Sequence, residues 1–365
     1  MATGEVEQDE VSAEVEIQRA RELDLALDVA IEKYLRHVPL EKQARRRGRQ
    51  DASITGSLLW QELDKLAHRL QPTYRGLRRD LVEREVLHVG LHSWRASGKG
   101  DKRWAVWSLS CDRGVYYSLG TFGLRSILEG FEGGIIADDY ATHAALARAL
   151  PDVELALGWR CIERDLGQAL ASEASGHRAR QLIAELFEIE RDLPDWHTIG
   201  DDTLQGHALD YVRTIRNERC RPLCDTLLAW AERTRHASGT SQQLSQALQR
   251  MASHWPELVR FLDEPRHPFC ERTAQASVFV QSAPTAHRSQ RGTEVATLLQ
   301  SLIETAVRSG VDAKGYLRAA VLAAARDGQA LLPPAYTRTL EDAPSSASPA
   351  RRRTGLLSRL VTARS

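Results

Sequence analysis

The stretch Val86-Leu87-His88-Val89-Gly90-Leu91 decides the fold, because it opens a series of short apolar segments separated by turns. Two further segments rich in aromatic and β-branched residues follow, at 104–109 and 115–119, and this composition is typical of strands. The connections 97–100 and 111–114 each contain glycine and polar residues that favour tight turns. Short turns between three strands predict an antiparallel meander.

Beyond the meander the pattern alternates between helices and strands. A predicted helix at 123–129 is followed by Gly133-Gly134 and a short apolar strand, 135–137, which ends at Asp138. A helix at 141–149 and a strand at 153–157 complete the order βββαβαβ. The predicted fold class is therefore α/β: a ribonuclease-H-like core with a large all-helical insertion and a helical N-terminal segment.

The chain divides into six predicted segments, each with its own composition. They are a disordered acidic tail (1–15), a helical N-terminal segment (16–84), the first part of the core (85–159), a helical insertion (160–263), a C-terminal helical part of the core that carries a late glutamate (264–330), and a disordered Ser/Pro/Arg-rich tail (331–365).

Composition excludes several classes of protein. The 49 basic and 49 acidic side chains cancel, so any nucleic-acid surface has to be a local patch. No apolar run approaches the roughly 20 residues of a membrane span, and the acidic N-terminus is unlike a signal peptide. Five scattered cysteines fit reduced thiols. We therefore expect a cytoplasmic protein with no membrane partner.

Asp138 is the first candidate for chemistry, because it follows a buried apolar strand. Ribonuclease-H-like nucleases and transposases hold two divalent cations with three carboxylates, and one of these stands at the end of the fourth strand. The alternative for Asp138 is a structural one, the N-cap of the helix that starts near Tyr140.

A series of short motifs runs along the chain in a fixed order. They are His37-Val38-Pro39-Leu40 with Arg47-Gly48, Val86-Leu87-His88-Val89, Ile136-Ala137-Asp138-Asp139-Tyr140, Glu271-Arg272, Arg291-Gly292, Leu302-Ile303-Glu304-Thr305-Ala306 and Tyr316-Leu317. With these motifs, about 300 residues of the chain resemble the transposases of the insertion-sequence-66 family. The resemblance implies a DDE-type active site in which Asp138 is the second acid, Glu271 is the third and Arg272 contacts phosphate. It implies Mg²⁺ (or Mn²⁺) as cofactor and double-stranded DNA, the transposon ends, as partner.

The sequence departs from the family pattern at the first acid, where Gly90 stands and cannot ligate a metal. Asparagines that precede the third acid in the family are replaced by His267 and Pro268. Two hypotheses follow: a transposase-like protein with impaired DNA strand cleavage and transfer, or a catalytically inactive remnant that acts only as a DNA- or protein-binding module. The residues that could replace the missing acid are Asp101, Asp112 and His92.

Two basic stretches are candidates for phosphate contacts, although a solvated surface is equally consistent with each. They are the elbow Arg45, Arg46, Arg47 and Arg49, and the first hairpin with Lys99 and Lys102. No cysteine precedes Cys111, so we expect no counterpart, in this sequence, of the N-terminal zinc-binding and helix-turn-helix region that the resemblance implies for the family. The resemblance is compatible with a companion protein that supplies this region and with a homo-oligomer.

Overall fold

The computed structural model describes residues 3–95, 103–112, 114–120, 123–151, 153–170, 176–196, 199–270 and 289–341. Within these ranges the protein is an α/β structure in which one mixed five-stranded sheet is surrounded by helices. The predicted α/β class and the order βββαβαβ are confirmed for this part of the chain.

The sheet has the strand order β3-β2-β1-β4-β5. The first three strands are antiparallel neighbours, as the meander predicted, and β4 and β5 run parallel to β1. Buried Leu87 and Val89 alternate with His88 and Gly90, so the two pairs lie on opposite faces of β1. The strands are β1 Val86–Arg95, β2 Arg103–Cys111, β3 Gly114–Leu119, β4 Gly134–Ala137 and β5 Leu155–Leu157.

Four helices precede the sheet: α1 Thr3–Ala30, α2 Leu40–Arg47, α3 Gly56–Arg69 and α4 Gln71–Val82. A π-helical turn, Ile31–Leu35, continues α1. The sequence predicted disorder for 1–15 and a helix only from Ile17, whereas the helix begins at Thr3. The earlier start has a physical reason: residues 3–16 contain no proline and five glutamates, which are good helix formers and suit the positive end of the helix dipole.

The described residues of the segment 160–263 are largely helical, in agreement with the helices predicted there. One predicted helix, 242–262, is divided into two at His254. Pro256 explains the break, because it lacks an N–H and therefore favours the first turn of a new helix. The helices between the strands and after them are α5 Leu124–Ile127, α6 Tyr140–Ala149, α7 Trp159–Ala169, α8 His177–Asp192, α9 Asp202–Ile215 with a π-helical turn Arg216–Cys220, α10 Arg221–Arg235, α11 Gln242–Ser253 and α12 Trp255–Asp263.

The long helix α13, Gln290–Arg308, packs along β3, the outer strand of the meander. The N–H of Tyr117 donates to Ser301 Oγ at 2.8 Å, and the N–H of Val115 donates to Thr305 Oγ1 at 3.1 Å. Tyr117 also donates its hydroxyl to the buried Glu304 carboxylate at 2.7 Å. Helix side chains thus satisfy backbone groups that an outer strand leaves open.

Two helices end the described chain, α14 Ala313–Asp327 and α15 Pro333–Glu341. The prediction of disorder from 331 onward is wrong for 333–341. Proline is well tolerated at the start of a helix, and Tyr336 packs against the buried Tyr316 of α14 with ring centroids 5.8 Å apart. The remainder of the predicted tail lies outside the described residues.

Candidate functional site

Gly90 and Asp138 lie side by side near the middle of the sheet. β1 and β4 are parallel neighbours, with Val89 opposite Ala137, the last residue of β4. The N–H of Asp138 donates to the carbonyl of Val89 at 3.2 Å, so the chain stays against β1 for one more residue. Two positions separated by 48 residues in sequence are thereby brought together.

The Asp138 carboxylate occupies the space that a side chain at residue 90 would need. A Cβ built on Gly90 would collide with Asp138 Oδ2, and it would lie 2.8 Å from Ser108 Oγ and 2.9 Å from His92 Nε2. Gly90 does not have a positive φ, so the backbone itself accepts any L-residue. The restriction at this position comes from the neighbouring side chains.

Helix α6 is capped by Asp139 and not by Asp138. The Asp139 side chain accepts a hydrogen bond from the N–H of Thr142 at 2.7 Å, and its extended φ and ψ are those of an N-cap. The N-cap alternative for Asp138 is therefore wrong. Its carboxylate is directed toward β1, where it meets the position of Gly90.

His92 is the candidate substitute that lies beside Gly90. It is two residues farther along β1 on the same face, and its Nε2 is 2.8 Å from Ser108 Oγ. Asp112 lies in the β2–β3 turn, at the level of the first residues of β1. That is about four residues, or roughly 13 Å, from Gly90 along the strand. This separation removes Asp112 as a replacement ligand, and Asp101 lies outside the described residues.

The segment that precedes Glu271 is firmly held. Arg216 is buried and donates to both carboxylate oxygens of Glu190 at 2.8 and 2.9 Å. It also donates to the carbonyls of Phe261, Pro265 and His267 at 2.9 to 3.1 Å. This single guanidinium therefore joins α8, α12 and the loop after α12.

Phe269 brings this loop to the end of β5. Its carbonyl accepts the N–H of Trp159 at 3.1 Å, and its ring stacks on the Trp159 indole with centroids 5.2 Å apart. Gly158, the preceding residue, donates its N–H to the carbonyl of Ala137, next to Asp138. Glu271 and Arg272 lie two and three residues beyond Phe269, outside the described residues.

His267 is buried in this loop with 4% of its surface exposed. Its ring lies against Gly134 at the start of β4, where a Cβ would collide with Nε2. Burial lowers the pKa of His267 to about 4, so the imidazole is neutral at pH 7. The His267 ring fits at this position because Gly134 has no side chain.

The basic elbow is only partly available for binding. Arg46 pairs with Glu32 at 2.5 Å and Arg47 pairs with the same carboxylate at 3.3 Å. Arg45 and Arg49 are exposed. Lys99 and Lys102, the other predicted phosphate contacts, lie outside the described residues.

One cluster escaped the sequence analysis. His143 of α6 lies beside His254 and Glu257, with ring centroids 4.9 Å apart between the histidines and 3.9 Å from His143 Nε2 to Glu257 Oε1. The pKa of His143 is lowered from its usual value, mainly by burial and also by the neighbouring His254. Glu257 opposes this shift but does not reverse it. No spacing signals this cluster, since 111 residues separate His143 from His254. Cys220 and Cys224, four residues apart, are fully buried in the core.

The sheet and the half-buried Asp138 that follows β4 define an α/β protein with a candidate acidic site. Comparison with known families identifies it further: the family described as "Transposase IS66 family" matches residues 23–325. The match covers 303 of 365 residues, and the chain belongs to this family.

A relative from Sinorhizobium fredii, named "Uncharacterized protein y4hP", is 26% identical over 137 residues. These residues are 36% of this chain and 23% of that protein, so the chain spans less than a quarter of the relative's length. Across the described residues, no helix is both long and apolar enough to cross a membrane.

Proposed function

We propose that this protein is a transposase-like member of the family with a ribonuclease-H-like core, in which DNA strand cleavage and transfer are impaired at Gly90. The strand order β3-β2-β1-β4-β5, with an antiparallel meander and two parallel strands, supports such a core. The observation that carries the proposal is that the Asp138 carboxylate fills the place of a side chain at residue 90.

The donors around Gly90 do not fit a pair of Mg²⁺ ions. The three side-chain atoms nearest to the vacant Cβ position belong to one carboxylate, one hydroxyl and one imidazole: Asp138, Ser108 and His92. Mg²⁺ requires oxygen ligands in near-octahedral geometry, and two ions need several carboxylates. Asp138 with Glu271 would supply charge for one cation at most, so we assign no catalytic step to a metal pair.

DNA remains the expected partner, because family membership is shown over most of the chain. With a net charge of zero, affinity has to come from local basic residues and should fall with salt. The proposed protein thus binds double-stranded DNA weakly and does not cut it detectably.

A nicking assay tests this proposal. Supercoiled plasmid, which requires no knowledge of the transposon ends, is incubated with the protein and either Mg²⁺ or Mn²⁺. We expect no nicked product from the wild type and measurable nicking from Gly90→Asp, in which the Asp138 carboxylate rotates away from the new Cβ and the substitution supplies a third carboxylate beside it. Gly90→Asn is the matched control, since it has nearly the same volume without the charge. Wild-type nicking that Asp138→Ala abolishes would contradict the proposal.

His92 supports a second candidate function, a manganese-dependent nuclease. Its Nε2 lies 2.9 Å from the Cβ position of residue 90, and imidazole suits Mn²⁺ better than Mg²⁺. This candidate predicts wild-type nicking with Mn²⁺ alone and its loss in His92→Ala. The same assay therefore separates the two functions.

A further inference from the structure

The cluster of His143, His254 and Glu257 has the donors of a metal site. One ligand atom from each residue lies within 4.8 Å of the other two. Tetrahedral Zn²⁺ holds its ligands about 3.4 Å apart, given bond lengths near 2.0–2.1 Å. Each side chain therefore needs to move by less than about 1 Å, which small rotations about its χ angles provide.

Two polar atoms in the cluster are buried without a hydrogen-bond partner, His143 Nε2 and Glu257 Oε2. The distance of 3.9 Å between His143 Nε2 and Glu257 Oε1 is too long for a hydrogen bond. Buried polar atoms without partners are costly and call for an explanation. A cation between the two side chains would satisfy both.

The backbone explains why these three residues converge. His143 lies one turn into α6, which Asp139 caps. His254 is the residue at which α11 gives way to α12, and Glu257 lies in the first turn of α12. α12 is itself fixed to the sheet side of the molecule, because the Trp159 indole donates to the Leu258 carbonyl at 2.8 Å.

The cluster is also accessible to an ion. His143 is 7% exposed, whereas His254 and the Glu257 side chain are half-buried, the latter 26% exposed. A metal could enter from the side of α12 and keep one water as its fourth ligand, as open two-histidine, one-carboxylate zinc sites do.

We propose that His143, His254 and Glu257 bind one transition-metal ion, Zn²⁺ by preference, which ties α11 and α12 to α6 next to Asp138. Two imidazoles and one carboxylate favour zinc over Mg²⁺, which prefers an all-oxygen shell. The ion is separate from any cation at Asp138 and Glu271, and the proposal does not depend on catalytic activity.

The test uses the full chain without a histidine tag, stripped with a chelator and then titrated with Zn²⁺, Co²⁺ or Mg²⁺. We expect one Zn²⁺ per chain by elemental analysis, and Co²⁺ should give the intense visible bands of a four-coordinate site. Zn²⁺ at about a hundredfold excess over its Kd should raise the thermal midpoint by several degrees, because it binds only the folded state. Mg²⁺ at the same concentration should not.

Variants locate the ion. Glu257→Gln keeps the shape of the side chain, and His254→Ala removes a half-buried ring; each should weaken Zn²⁺ binding by at least about 100-fold, more than the loss of an outer partner costs. His236→Ala, at an exposed histidine that ends α10, is the matched control and should bind like the wild type. Asp138→Asn should also retain the ion.

Three results would overturn the proposal. They are an absence of stoichiometric Zn²⁺ binding in the wild type, binding that Glu257→Gln and His254→Ala both leave unchanged, and binding that only Asp138→Asn abolishes. The last result would place the ion at Asp138. A water molecule bridging His143 and Glu257 would then account for their buried polar atoms.

Discussion

His267 shows how one buried histidine changes the pH dependence of stability. Burial lowers its pKa to about 4 in the folded protein, compared with about 6.5 in an unfolded chain. As the pH falls from 6.5 toward 4, His267 becomes protonated in the unfolded state but stays neutral in the folded state. The free energy of unfolding therefore decreases across this window, and above it His267 contributes no pH dependence.

We predict that His267→Asn reduces the slope of the free energy of unfolding against pH between pH 4.5 and 6.5. The reduction corresponds to at most one proton taken up on unfolding. The measurement is the free energy of unfolding in urea at several pH values between 4.5 and 7.5, compared with the wild type. His236→Asn is the control, because His236 is exposed and its replacement should leave the slope between pH 4.5 and 6.5 nearly unchanged. Equal slopes for His267→Asn and the wild type would contradict the prediction, because they would show that folding does not lower the pKa of His267.

Asp138 and Asp139 mark how far residue-level prediction can go. The sequence identified an acid at the end of a buried strand and left open which role it has. The register of β4 against β1 determines the role of each aspartate. The backbone of Asp138 pairs with Val89, which places the Asp138 side chain beside Gly90, and Asp139 is then the residue that caps α6. Neither the contact with Gly90 nor the His143–His254 pair is encoded in local spacing, so three-dimensional structure was needed for both.

At the scale of elements, Arg216 connects several parts of the described helical region through five hydrogen bonds. It lies in the π-helical turn Arg216–Cys220 and joins Glu190 of α8 to carbonyls at the end of α12 and beyond. Both side chains of the pair are less than a tenth exposed. Removal of one partner would leave a buried charge uncompensated.

We predict that Arg216→Met destabilises the protein by about 3–5 kcal/mol, the usual cost of breaking a buried ion pair. The double variant Arg216→Met/Glu190→Met should recover much of this loss, because two apolar side chains leave no uncompensated charge. Urea unfolding of the two single variants and the double variant gives the coupling energy. Purely additive effects would mean that the pair contributes through its hydrogen bonds to the loop alone.

Elements were predicted well where apolar pattern and turn chemistry agree. The five strands of the described residues agree with the predicted ones, because their runs of Val, Ile, Leu and aromatic residues are bounded by glycine-containing turns. The division of 242–262 at His254 was missed although Pro256 signals it, since the apolar periodicity continues across the break. The helix at 333–341 was missed because the Ser/Pro/Arg-rich composition of 331–365 predicts disorder, whereas proline also begins helices.

At the scale of the whole molecule, the 49 basic and 49 acidic residues give a net charge of zero, so DNA binding has to depend on local groups of basic residues. We predict that a DNA duplex binds with an affinity that falls linearly on a plot of log K against log salt. The double variant Arg45→Ala/Arg49→Ala should reduce the slope by about 2, at about 0.9 per phosphate contact. Fluorescence anisotropy between 50 and 200 mM salt measures it.

Arg233→Ala provides the control for this prediction. Arg233 is exposed on α10, outside the N-terminal helices, and its loss changes the net charge in the same direction. If Arg233→Ala and the Arg45/Arg49 variant weaken binding equally for each charge removed, the elbow is not a DNA contact and the interaction follows net charge alone.

The packing of α13 against β3 has a consequence during synthesis of the protein, because the two elements are far apart in the sequence. Val115 pairs with Thr305, a residue synthesised 190 positions later. At about 5–20 residues per second, a ribosome needs roughly 10 to 40 s to cover that distance. Throughout this interval the nascent chain carries a meander whose outer strand has no cover, which is the form of a sheet most able to recruit a strand from another chain. A message cut short before α13 would release the protein permanently in that state, so aggregation of such fragments would follow from the position of a single helix.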